Sequence, residues 1–72
     1  MEKEKEVKIR GDYITLGQLL KEEGLIQTGG AAKYFLRENE VQVNGQVDTR
    51  RGKKLRAGDE VIVPNHGKLL IK

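Results

Sequence analysis

Residues 28–45 read TGGAAKYFLRENEVQVNG, and the hydrophobic period changes in the middle of that stretch. Ala31, Ala32, Phe35 and Leu36 recur at helical spacing and predict one buried stripe. From Val41 the period drops to two, with Val41 and Val43 on one side of a strand and Gln42 on the other. Asn44-Gly45 then gives the strongest short hairpin signal, because both residues tolerate the positive φ such a turn needs. Thr28 predicts the N-cap of the helix, with Gly29 and Gly30 in its first turn. Asn39 is expected to end it in a left-handed conformation.

Upstream, Ile14 to Gly24 predicts a first helix of about nine residues, too short to be stable alone. Thr15 and Gln18 form a capping box, and Ile14 and Leu19 a hydrophobic staple. Leu16, Leu19 and Leu20 share one face, and Gly24 supplies the left-handed stop. Before it, Val7 and Ile9 alternate with Lys8 and Arg10 as a short edge strand, preceded by a charged lead-in over residues 1–6. Downstream, Asp48 to Gly58 predicts a long loop or irregular strand anchored by Leu55. Gly58-Asp59 turns into Glu60–Val63, and Pro64–Gly67 turns into a last strand. The expected fold is α+β, one domain over residues 7–72, with two short helices packed on a small antiparallel β-sheet. Its expected core is Leu16, Leu19, Leu20, Ala32, Phe35, Leu36, Val41, Val43, Leu55, Val61 and Val63.

Composition narrows the function. A chain of 72 residues forms one small domain, which buries only about 60% of its unfolded surface and leaves little room for an internal cavity. There is no Cys and no Ser, so the two commonest nucleophiles and all thiolate metal sites are missing. The single His66 lies in a turn, where a solvated side chain is the ordinary expectation. No catalytic residue, cofactor site or metal site is expected. No apolar run approaches the ~20 residues that span a bilayer, and MEKEKEVKIR lacks the apolar stretch of a signal peptide. A cytoplasmic protein with no membrane partner is the expectation.

The charge is concentrated. Residues 50–56 read RRGKKLR, five basic residues in seven positions without an acid. The whole chain has 14 Lys and Arg against 11 Asp and Glu; without that run the balance is 9 against 11. A concentrated patch releases condensed counterions from a nucleic-acid backbone, which scattered charge does poorly. Taken alone, such a run also suits a solvated loop.

The pattern of Thr28, Ala32-Lys33, Leu36, Val41, Val43, Asn44 and Gly45, followed by Gly58 and Asp59, resembles a known family. This is the RNA-binding domain first recognised in small-subunit ribosomal protein S-four, also called the alpha-L motif. The resemblance covers about residues 14–63 and is closest to the small stand-alone YaaA/YbcJ-like members. It implies a monomeric module that binds structured RNA, of the ribosomal or transfer RNA class, in association with a ribosome or ribonucleoprotein. The basic surface would combine Lys33 and Arg37 on the second helix with Arg50, Arg51, Lys53 and Lys54 of the loop. The family often has Ser-Arg-Ser where this chain has Thr28, Gly29 and Gly30, so one phosphate-contacting charge is missing. Two glycines there still let backbone N–H groups approach an anion closely. Aromatic side chains are scarce, which favours recognition of RNA shape and backbone over stacking. Two rivals are a protein-binding adaptor with a β-grasp-like sheet and a duplex DNA binder. The chain ends Leu69-Leu70-Ile71-Lys72 rather than in the Gly-Gly of a sulfur carrier, and no helix is rich in base-reading side chains.

Overall fold

The computed structural model describes residues 4–72. In chain order its elements are β1 (Glu4–Val7), β2 (Ile14–Thr15), α1 (Leu16–Glu22), α2 (Ala31–Glu38), β3 (Gln42–Val43) and β4 (Gln46–Val47), then β5 (Lys54–Leu55), β6 (Glu60–Val63) and β7 (Gly67–Ile71). Local chemistry sets both ends of α1. The Thr15 hydroxyl accepts the Gln18 N–H, and the Gln18 side chain accepts the Thr15 N–H at 3.0 Å, which completes the capping box. At the other end Gly24 has φ +76, and the N–H groups of Gly24 and Leu25 reach back to the carbonyls of Lys21 and Leu20 at 3.0 Å. That is the Schellman arrangement, which satisfies carbonyls the helix would otherwise leave open.

The start of α2 is looser. Gly30 already has helical dihedrals, and Thr28 Oγ1 accepts the Ala31 N–H at 3.3 Å, so Thr28 caps from three residues before the regular helix. Asn39 does not take the left-handed position: its φ is −124, and its side-chain amide donates to the Phe35 carbonyl at 3.0 Å. The side chain does there what a backbone reversal would otherwise do.

Five strands form a mixed sheet in the order β1-β7-β6-β3-β4, and β2 and β5 form a separate two-stranded ladder. Every neighbouring pair is antiparallel except β1 with β7, so the expected all-antiparallel sheet is corrected to a mixed one. Parallel strands need a long crossover, and here nearly the whole domain lies between the two. The edge strand expected over residues 7–10 is shifted: β1 takes in Glu4, Lys5 and Glu6 of the expected charged lead-in and leaves out Lys8, Ile9 and Arg10, while Met1, Glu2 and Lys3 lie outside the described residues. The Glu4, Lys5 and Glu6 side chains stay exposed, and Val7 alone of β1 is buried.

The β3–β4 hairpin turns through Asn44 (φ 52) and Gly45 (φ 86), with Gln42 opposite Val47 and Val43 opposite Gln46. Two consecutive positive φ values fit the twist of the flanking strands. The core gathers Leu16, Leu19, Leu20, Ala32, Leu36, Val41, Val43, Leu55, Val61 and Val63 as expected, and adds Val7, Ile14, Ile26, Leu69 and Ile71. Phe35 is corrected to half-buried: its ring packs against the edge of the core, so truncating it costs less than losing a fully enclosed ring. His66 is likewise not freely solvated. It stands 3.4 Å from the carboxylate of Glu23, whose side chain is 6% exposed and also pairs with Lys5 at 3.2 Å.

The Val-Asn-Gly and Gly-Asp segments meet in space. The Asn44 amide donates to Asp59 Oδ1 at 3.1 Å and its carbonyl oxygen accepts the Glu60 N–H at 2.9 Å. Asp59 Oδ2 accepts the Arg56 N–H at 2.7 Å. The backbone bond from Arg56 and then the side-chain bond from Asn44 hold the Asp59 carboxyl below the usual carboxylate range. A depressed folded pKa means that Asp59 stabilises the fold above pH about 4 and stops doing so as pH falls through the folded value. Asp59→Asn is therefore expected to cost about 1–2 kcal/mol at neutral pH and to flatten the acid limb of stability. Urea midpoints between pH 7 and pH 3 check this; parallel curves for the two proteins would refute it.

Candidate nucleic-acid interface

The basic run is stitched to the front of the helices rather than hanging free. β5 pairs with β2, placing Leu55 opposite Ile14 and Lys54 opposite Thr15. The first two N–H groups of α1, on Leu16 and Gly17, donate to the carbonyls of Lys53 and Arg51, both at 2.8 Å. Those donors have no partner inside the helix, so the loop satisfies them and is fixed by them. Leu55 is fully buried beneath the run.

Gly17 makes this approach possible. A Cβ there would sit 3.2 Å from the Arg51 carbonyl oxygen, 3.5 Å from Arg51 Cβ and 3.6 Å from Ala32 Cβ. Sequence reading passed over Gly17, although a glycine inside a short helix costs about 1 kcal/mol against alanine and so hints at a close contact. Gly17→Val is expected to force the loop outward at a cost of about 1–3 kcal/mol. Trypsin should then cut within residues 50–56 faster than in the parent protein. Unchanged digestion would mean that the loop is not held at Gly17.

The candidate cations fall into four groups. Arg51 leans toward the start of α2, with Nη1 3.5 Å from the Gly29 carbonyl, which places it beside Thr28, Gly29 and Gly30. A Cβ on Gly29 or Gly30 would meet nothing within 4 Å, and neither has a positive φ, so the fold itself does not demand glycine there. Arg50 and Lys53 line a shallow cleft of about 400 Å³ together with Asn44, Gln46 and Asp48. Lys54 lies over the Tyr13 ring, 4.8 Å from its centroid. Lys33 and Arg37 are exposed on α2, Arg37 at 6.0 Å from the Tyr34 ring centroid.

Arg50 differs from its neighbours. Its Nε and Nη2 donate to the two oxygens of Asp48 at 3.0 and 2.8 Å, and its backbone N–H adds a third bond at 2.9 Å. The guanidinium holds the Asp48 carboxyl below the usual range. Such a two-pronged pair leaves Arg50 less able to grip a phosphate than Arg51 or Lys53. The acid two residues before it gave no sequence signal, because loop spacing carries no rule like that of a helix face.

Two short helices on a small mixed sheet, with the Val-Asn-Gly turn bonded to the Gly-Asp turn, define an alpha-L module of the α+β class. The chain belongs to the S4 domain family, whose model matches residues 7–72. It is 51% identical over 61 residues to the Bacillus subtilis (strain 168) "Probable ribosome maturation protein RlbA", covering 85% of this chain and 86% of that relative. It is 39% identical over 54 residues to the Escherichia coli (strain K12) "Putative RNA-binding protein YbcJ", covering 75% and 77% of the two chains.

Proposed function

We propose that this protein is a cytoplasmic, monomeric, non-enzymatic RNA-binding module. Its ligand is structured RNA of the ribosomal or transfer RNA class, and the name of the Bacillus subtilis relative favours ribosomal RNA in a maturing ribosome. S4 family membership supports RNA binding in general. The observation that carries the reading to a surface is the basic run clamped across the start of α1 and beside the start of α2. Arg51, Lys53 and Lys54 would contact phosphates there, joined by Lys33 and Arg37 from α2, with Arg50 contributing less because Asp48 holds it. Gly29 and Gly30 would admit a phosphate close to the backbone of the helix start.

A basic run held in place by backbone bonds to the first helix suits a folded RNA recognised by its shape and backbone. Titration of the protein against a folded ribosomal RNA fragment and a DNA duplex of equal length, at one salt concentration, tests this. The RNA is expected to bind more tightly. Equal affinity for the DNA would replace the RNA reading with general phosphate binding.

A further inference from the structure

Tyr13 is 44% exposed and sits at the outer end of the β2–β5 ladder. Ile14 and Leu55, paired in that ladder, are both buried, so its inner face belongs to the core. Side chains alternate along a strand, which turns Tyr13, Thr15, Lys54 and Arg56 to the outer face. The cations gather at the ring: Lys54 Nζ is 4.8 Å and the Arg56 guanidinium carbon 5.8 Å from its centroid. A shallow cleft of about 410 Å³ runs past the same ring, with Lys8, Arg10 and Lys21 in its walls and Glu22 as the acid among them. None of this is needed to pack the domain, since the ring and these cations are exposed.

We propose that this face extends the basic surface at Lys54 into a seat for one unpaired nucleotide, whose base takes the place of the cations that lie over the Tyr13 ring. The flanking phosphates meet Lys54 and Arg56 at the ring, and Lys8, Arg10 and Lys21 along the cleft. The inference rests on the RNA-binding reading and deepens it by naming what the RNA must offer. An aromatic face bordered by cations is the pairing that holds unpaired bases, because every base has a π-face and every linkage a charge. Bases within a duplex have no face to give, so the seat selects a bulged nucleotide beside a stem.

The test uses two RNA hairpins with the same stem closed by the same non-nucleotide linker, one carrying a single bulged 2-aminopurine nucleotide. The parent protein is expected to bind the bulged hairpin more tightly and to quench its fluorescence. Tyr13→Leu should lose about tenfold in affinity for the bulged RNA, the scale of one base–aromatic stack. It should bind the plain hairpin as the parent does, with the same salt dependence, because no charge is removed. Tyr13→Phe keeps the ring and should keep the preference. A parent protein without preference for the bulge, or a Tyr13→Leu variant that retains it, would overturn the inference while leaving the basic surface intact. Binding to neither hairpin would sink the RNA-binding reading itself.

Discussion

Leu55→Ala is expected to destabilise the domain by about 2–5 kcal/mol, the cost of emptying a fully buried leucine site. Leu55 is 0% exposed and is the core side chain between Asp48 and Glu60. Small domains have about 5–15 kcal/mol in all, so this is a large share of the total. The effect should reach the surface too. With Leu55 gone, the β2–β5 pairing and the carbonyls that receive the Leu16 and Gly17 N–H groups lose their support from below. Thermal and urea unfolding measure the first effect, and RNA titration well below the melting temperature the second. An unchanged melt would show that the basic run is not held by the core.

Where side chains act on their own backbone, the sequence was legible except at Asn39. Thr15 with Gln18, Gly24 and Asn44-Gly45 each fix a local conformation through a hydrogen bond or a positive φ, and each behaves as its chemistry dictates. The bounds of β1 were hidden because Glu4, Lys5 and Glu6 present only charge, while the strand is held by backbone bonds to β7 at the far end of the chain. No local pattern reports a partner more than sixty residues away, and so the parallel pairing was hidden with it. Phe35 lies on the correct helical stripe, but the stripe runs to the rim of the core at that point. The basic run was obvious from composition. Its internal differences were not: Asp48 engages Arg50, Gly17 admits the Arg51 carbonyl, and Tyr13 gathers Lys54 and Arg56. Each of these is a meeting of segments remote in sequence or free of helical register.

Lys53→Gln together with Lys54→Gln is expected to weaken RNA binding about 30-fold at 0.1 M salt, the counterion-release effect of two phosphate contacts. Glutamine keeps most of each stem, and the Lys53 carbonyl that holds Leu16 is backbone, so the fold should be unaffected. The matched control removes two charges at the β1–β7 edge, where Lys5 and Lys72 already pair with Glu23 and Glu6. Lys5→Gln with Lys72→Gln should therefore lose much less affinity, although the change in net charge is the same.

The most direct measurement is the slope of log affinity against log salt for the parent protein, the Lys53/Lys54 double variant and the Lys5/Lys72 control, on one folded ribosomal RNA fragment. If roughly four cations neutralise phosphates, the parent slope is near −3. The Lys53/Lys54 variant is expected to flatten it by about one to two units, while the control keeps the parent value. Equal flattening by both pairs would mean diffuse attraction to a basic protein rather than a site built on residues 50–56, and would contradict the account.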